Sequence, residues 1–104
     1  MSRQFDVYSN PLKWGRGDRP FIIIVQHSFF DEYPTRIVAP LVIVAAIRPR
    51  PRLNPMVTVD GRDLHFSPTE LATISLKHLR NPVTNLESDR DKLIAALDLV
   101  FTGI

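Results

Sequence analysis

The apolar positions of the chain form short runs of β type, followed by one helical stripe near the end. Residues 4–8 alternate, with Phe5 and Val7 on one face, which predicts a half-buried strand. The run F-I-I-I-V that opens residues 21–27 is apolar on both faces, so it predicts a strand that is covered on both sides. Because a chain this short has few elements to supply two covering layers, we expect a helix on one face and a loop or a second subunit on the other. A homodimer is therefore expected.

The middle of the chain predicts a bent strand and a hairpin. Residues 35–46 read as a third strand that is interrupted at Pro40, where the missing N–H predicts a bulge, an edge or a bend. A bent strand that two sheets share is one way in which small barrels turn a corner. Residues 56–59 and 62–66 flank Asp60-Gly61, a strong hairpin signal. Residues 71–79 are ambiguous, because Thr73, Ile74 and Ser75 suit a strand whereas residues 69–72 suit a helical turn.

The last eighteen residues, 87–104, predict an amphipathic helix. Ser88 and Asp91 have the spacing of a capping-box variant at its start. The apolar stripe, which we expect to hold the helix to the sheet, consists of Leu93, Ile94, Leu97, Val100 and Phe101, with Ile104 on the same side. The outward face consists of Asp91, Ala95, Asp98, Leu99 and Thr102. We expect the end of this helix to be available to a partner.

Three loops carry candidate contact residues. Trp14 lies in the loop 9–20, and we expect it to fold back onto an edge of the core. Phe29 and Phe30 are adjacent in the turn 28–34; either both tuck under a loop, or one is exposed as a contact. Residues 47–51, I-R-P-R-P, predict an extended, solvated loop, and arginines without interleaved aromatic residues make a poor nucleic-acid site.

Composition narrows the class of protein. The 104 residues predict a single domain, 1–104, and the absence of cysteine excludes disulfides, thiol nucleophiles and cysteine-bound zinc. No signal peptide or membrane-spanning run is recognisable, so a cytoplasmic protein is expected. Residues 1–62 hold nine Lys/Arg against five Asp/Glu, whereas residues 87–104 hold two against four. An acidic helix favours a protein partner with basic residues over nucleic acid.

Candidate catalytic chemistry is sparse. The histidines, His27, His65 and His78, are scattered and lack the spacing of a metal site. No phosphate-binding loop or hydrolase motif is present in the sequence. Only His27 with Arg36 or Arg48 nearby in space could serve an endoribonuclease, which needs an acid, a base and a cation for the phosphate. We therefore expect no enzyme activity, no metal and no cofactor.

Five short stretches along the chain carry a resemblance to a known family: F-D-V-Y at 5–8, V-Q at 25–26, P-T-R-I-V-A-P-L at 34–41, L-N-P-M-V-T-V at 53–59 and F-T-G-I at 101–104. In their order and spacing these stretches resemble the CcdB family, the toxins of plasmid-type toxin–antitoxin pairs. The resemblance implies a mainly β (α+β) fold, a small SH3-like barrel whose strongly bent antiparallel sheet carries a C-terminal α-helix, assembled as a homodimer. It also implies a protein for plasmid maintenance that binds the DNA gyrase A subunit, traps gyrase on cleaved DNA, and is neutralised by a cognate antitoxin.

The resemblance also assigns candidate site residues. The family ends in Trp-Gly-Ile; Gly103 and Ile104 match, whereas Thr102 replaces the tryptophan and Asp98 replaces a neutral amide. The expected target-binding residues are Asp98, Leu99, Thr102, Gly103 and Ile104. The expected antitoxin-binding or shared residues are Phe29, Phe30, Arg90, Asp91 and Ala95. Two alternatives stay open, a CcdB-like protein that binds an antitoxin without being toxic or has another target, and an endoribonuclease toxin of the same fold class.

Overall fold

The computed structural model describes residues 2–12, 15 and 17–104, so the prediction for Trp14 lies outside the described residues. The described part of the chain forms seven strands and one α-helix. Their bounds are β1 Asp6–Ser9, β2 Phe21–Ile24, β3 Thr35–Ile43, β4 Met56–Val59, β5 Arg62–Phe66, β6 Ala72–Ser75, β7 Thr84–Asn85 and α1 Arg90–Thr102. Short 3-10 turns at 28–30, 44–46, 76–78 and 87–89 connect them.

Strand β3 is the centre of the sheet and bends as Pro40 predicts. The strands are antiparallel in the order β4-β5-β3-β2-β1-β7, and β6 also pairs with β3. The first half of β3 pairs with β6 as far as Val38, and its second half pairs with β5 from Leu41 onward. Pro40 lies between these two ladders, and its carbonyl accepts the Ser67 N–H at 3.1 Å. The missing N–H of Pro40 therefore falls where β3 changes partner, so no ladder hydrogen bond is lost.

The predicted hairpin and the ambiguous segment are both resolved. Asp60 and Gly61 have φ values of 51° and 75°, the pair of positive angles that a tight two-residue turn between β4 and β5 requires. Residues 73–75 lie in β6, which pairs with β3 as the strand alternative predicts, and a 3-10 turn follows at 76–78 rather than at the predicted 69–72.

The strand β2 is buried on both faces, but the chain covers both by itself. Phe21 and Ile23 face a core that includes Leu93 and Ala96 of α1. On the other face, Ile22 and Ile24 of β2 lie in a second core. Side chains from β1, β3, β6 and the turn after β6 complete this core, which consists of Tyr8, Ile22, Ile24, Val38, Ile74 and Leu79. Of the two alternatives for the second face, a loop or a second subunit, the chain's own segment 72–79 supplies the cover, so this cover does not itself require a homodimer.

The helix α1 begins later than its capping pattern predicts. Residues 87–89 form a 3-10 turn, α1 begins at Arg90, and the capping residue Asp89 makes no side-chain capping bond. The capping-box prediction for Ser88 and Asp91 was therefore wrong. The Asn85 Oδ1 atom instead accepts the Glu87 N–H at 2.8 Å, which fixes the preceding turn.

The predicted apolar stripe packs only along part of its length. Leu93 and Ala96 are fully buried, and Ile94 and Leu97 are partly buried against the same core. Phe101 is 69% exposed, so its predicted packing on the sheet was wrong, whereas Ile104, which is 84% exposed, lies at the end of the helix that the sequence predicts to be available. Helical spacing places Phe101 near the packed side, but residues 101–104 extend clear of the sheet and have no apolar surface to meet.

These elements together form the predicted fold, a mainly β SH3-like barrel with a strongly bent antiparallel sheet and a C-terminal α-helix. The described part of the chain contains no helix long and apolar enough to cross a membrane.

Side-chain truncations at the two ends of the helical stripe should lower the free energy of unfolding by different amounts. We expect Leu93→Ala to lower the free energy of unfolding by about 2–5 kcal/mol, because it leaves a cavity in the core. Phe101→Ala should cost less than about 1 kcal/mol, since its ring is exposed. Urea unfolding of both variants at one protein concentration checks this; equal losses would mean that the last turn is packed.

Candidate functional site

The end of α1 is exposed and is fixed by its own hydrogen bonds. Gly103 has φ 78° and donates its N–H to the Leu99 carbonyl at 2.9 Å, the left-handed cap that commonly ends a helix. Thr102 donates its hydroxyl to the Asp98 carbonyl at 2.7 Å, and the Ile104 N–H reaches the same hydroxyl at 3.4 Å. The terminal residues therefore have a defined geometry that does not depend on the sheet.

Four of the five expected target-binding residues are exposed at this end. They are Asp98, Thr102, Gly103 and Ile104, while Leu99 is half-buried beside them. The Asp98 carboxylate makes no ion pair or hydrogen bond with any residue that the structure describes. The last turn therefore presents apolar surface beside one unpaired carboxylate.

The turn with the adjacent phenylalanines exposes both rings. Phe29 is 78% exposed and Phe30 is 45% exposed, so neither ring tucks under a loop, and both rings rather than one are exposed. The two rings meet edge to face with centroids 5.3 Å apart, and the ring centroids of Phe30 and Tyr33 are 6.4 Å apart. Residues 28–30 form a 3-10 turn rather than extended backbone, so the alternation that would bury one ring does not apply. We call Phe29, Phe30 and Tyr33 the aromatic ridge.

A buried arginine holds the aromatic ridge in place. Arg36 is 1% exposed, and its Nη1 donates to the carbonyls of Tyr33 at 2.8 Å and Thr35 at 3.0 Å. Its Nη2 donates to the Asp31 carbonyl at 3.3 Å and lies 3.6 Å from the Asp31 carboxylate. One guanidinium thus donates hydrogen bonds to three backbone carbonyls of the segment that carries the ridge. The alternating pattern of β3 points Arg36 inward, which was the only sequence signal for this clamp.

Gln4 connects the aromatic ridge to the start of α1. Its backbone N–H donates to the Ser28 hydroxyl at 3.1 Å, and its side-chain oxygen accepts from Arg90 at 3.1 Å. Arg90 also lies over the Phe5 ring at 5.6 Å. Of the expected antitoxin-binding residues on the helix, Arg90 is thus already engaged within the chain, whereas Asp91 and Ala95 are exposed.

Two of the residues considered for an endoribonuclease site, His27 and Arg36, make hydrogen bonds within the chain. His27 Nδ1 accepts the Phe29 N–H at 2.9 Å, and the Arg36 guanidinium faces buried carbonyls rather than solvent. His65 Nδ1 lies 2.9 Å from the Asn54 carbonyl inside the core. Within residues 2–12, 15 and 17–104, no group of three metal-ligating side chains converges.

An ion pair anchors the loop before β2 to the turn after β5. Arg19 contacts Glu70 through two hydrogen bonds, at 2.8 and 3.1 Å, and the Ser67 hydroxyl donates to the same carboxylate at 2.7 Å. Burial by itself would raise the pKa of the Glu70 carboxyl, but these hydrogen bonds outweigh it and the pKa is lowered. This contact is structural, because it satisfies both charges within the chain.

The comparison with protein families gives one result. The chain matches the family described as CcdB protein over residues 4–103, nearly its whole length. No curated protein matches the chain.

Removing the buried guanidinium should loosen the aromatic ridge selectively. We expect Arg36→Met to leave three carbonyls unpaired, at a cost of about 1–3 kcal/mol in the local opening free energy. Amide hydrogen exchange checks this: protection of Asp31 and Tyr33 should fall, while protection in the β4–β5 hairpin stays.

The matched control is Arg48→Met, the same chemical change at an exposed position. It should leave exchange in the ridge unaltered. Unchanged protection of Asp31 in Arg36→Met would mean that the clamp does not hold the ridge.

Proposed function

The chain belongs to the CcdB protein family, and from this premise we propose that it poisons DNA gyrase by binding the A subunit with the end of α1. Membership makes it a toxin of the CcdB type, one half of a toxin–antitoxin pair. In the proposed action the protein performs no chemistry. It binds gyrase at the stage of cleaved DNA and prevents the break from being resealed.

The exposure of the last four residues is the observation that carries this proposal. Residues 101–104 are all exposed, and Gly103 is capped by the Leu99 carbonyl rather than held by the sheet. A peptide end that is already ordered loses little conformational entropy when a partner binds it. Gly103 supplies the left-handed conformation that turns the chain out of the helix, and Ile104 adds an apolar contact next to a carboxylate.

The replacement at position 102 predicts a weaker contact than the family's tryptophan would give. A tryptophan on an exposed end supplies a large apolar surface, and such residues dominate interface energies. Thr102 supplies little area, and its hydroxyl is already engaged by the Asp98 carbonyl. Phe101, which is 69% exposed, offers aromatic surface at the same tip and takes over part of the contact.

We further propose that the protein is a homodimer whose antitoxin binds the aromatic ridge and the outward face of α1. The antitoxin-binding or shared residues remain Phe29, Phe30, Arg90, Asp91 and Ala95. The two exposed rings support this assignment, because rigid exposed aromatics are typical anchors for a segment that folds on binding. Arg90 contributes by fixing the start of α1 rather than by presenting a free charge.

Replacing Thr102 with tryptophan should strengthen the proposed activity. We expect Thr102→Trp to bind the gyrase A subunit roughly 30-fold tighter or more, and to inhibit growth more strongly on expression. Calorimetry with the purified A subunit and growth curves measure the two effects. A gain in neither would favour the alternative, a CcdB-like protein that binds an antitoxin and has another target or none.

Deleting Gly103 and Ile104 is the complementary variant. It should abolish gyrase binding while the urea midpoint stays within experimental error, because neither residue packs on the sheet. A folded truncated protein that is still equally toxic would exclude the end of α1 as the effector. Specific RNA cleavage that His27→Ala abolishes would point to the endoribonuclease alternative.

The proposed homodimer is tested by the mass of the protein in solution. Sedimentation at micromolar concentration should give about twice the chain mass of 11.9 kDa. A monomer throughout this range would reject the homodimer.

A further inference from the structure

The sheet forks at Pro40, where β3 exchanges β6 for β5. On one edge of β3, Val38 and Leu41 both pair with β2. On its other edge, Val38 pairs with Ala72 of β6, whereas Leu41 pairs with Phe66 of β5. The strands β5 and β6 therefore diverge on either side of Pro40 and leave a gap between them.

A recessed pocket of about 320 Å³ lies at this fork, and we call it the fork pocket. The side chains of its floor are apolar and buried, and they are Ile22, Val38, Pro40 and Ile74. Pro40 has no N–H, and its carbonyl already accepts the Ser67 N–H at 3.1 Å. Pro40 therefore adds apolar surface to the floor without an unpaired donor. A pocket of this volume has the size of a site for a small organic molecule.

The rim of the fork pocket is polar, but its two charges already neutralise each other. Arg19 and Glu70 both line the pocket and are joined by two hydrogen bonds, and Ser67 donates to the same carboxylate. Asn10 donates from Nδ2 to the Arg19 carbonyl at 2.8 Å and accepts the Leu12 N–H with Oδ1 at 2.9 Å. An ionised ligand would lose its water here without gaining a free partner, so the rim disfavours ions.

Apolar surface continues from the floor to the mouth of the pocket. Leu12 lines the mouth and is 44% exposed. Ala72 is exposed on β6, and the alternation of the strand places it on the same face as the buried Ile74. A molecule in the pocket would cover Leu12 and Ala72, which removes further apolar surface from water.

We propose that the fork pocket binds a small, neutral, mainly apolar molecule. Its body packs on Ile22, Val38 and Ile74, and its outer end lies beside the paired charges of the rim. Because the pocket is a compact recess, it suits a small molecule better than an extended peptide. The pocket shares no residue with the end of α1 or with the aromatic ridge, so this proposal does not depend on the gyrase proposal.

The test uses the whole purified protein and a matched pair of fluorescent dyes. Phenylnaphthylamine is neutral, and its emission rises in apolar surroundings; anilinonaphthalene sulfonate has the same rings and one negative charge. We expect the neutral dye to bind roughly tenfold more tightly or better, because the sulfonate would be desolvated beside a rim whose cation is already paired. Tighter binding of the anion would overturn the assignment to neutral molecules.

The site variant is Ala72→Phe, which places a ring in the pocket from an exposed position of its rim. We expect its affinity for the neutral dye to fall roughly tenfold or more, because the ring occupies the space of the ligand. The matched control is Ala45→Phe, the same change at an exposed position outside the pocket. It should alter affinity less than about twofold. Unchanged binding in Ala72→Phe, or an equal loss in Ala45→Phe, would overturn the site.

A second variant keeps the test independent of packing in the sheet. Leu12→Ser removes apolar surface from the mouth and leaves the floor intact, so we expect a roughly fivefold loss of affinity. Thermal unfolding checks that each variant is folded, and parent-like binding by a folded Leu12→Ser would contradict the proposal. A loss in Phe30→Ala instead would place the dye on the aromatic ridge and would overturn the fork pocket. Dye binding that holds while gyrase binding fails would reject the gyrase proposal alone.

Discussion

Strand β3 pairs with three other strands, and its change of partner at Pro40 is the constraint on which the fold depends. The first half of β3 pairs with β6 and its second half pairs with β5, and the bend lies between these two ladders. Proline at this bend costs no ladder hydrogen bond, because the position between the two ladders needs no backbone N–H donor. The bend brings the sheet round on itself, so that each of its faces encloses its own apolar cluster.

Both faces of the sheet are covered from within the chain, which decides what remains exposed. The segment 72–79 covers one face, and the first half of α1 covers the other. Three features then project from the barrel: the last turn of α1, the aromatic ridge and the loop before β4. Each is fixed by local hydrogen bonds, from Thr102 and Gly103, from Arg36 and from Asn54 respectively.

Such a surface is suited to recognition. Ordered, exposed side chains lose little entropy on binding, so a small protein can hold a partner without a deep cleft. The helix end and the fork pocket share no residue, so they are separate parts of this surface.

The sequence alone determined the hairpin at Asp60-Gly61, the bend at Pro40, the C-terminal helix and the exposure of Gly103 and Ile104. These depend on local chemistry: a missing N–H, positive φ angles and a helical period are properties of a few neighbouring residues. The aromatic ridge, the inward Arg36, the fork pocket and the exposure of Phe101 were decided by the tertiary structure. The spacing of Phe101 places it near the packed side of α1, but whether the sheet extends far enough to meet its ring depends on strands from the whole chain. Burial of an apolar side chain is a property of what lies opposite it, and no local pattern contains that information.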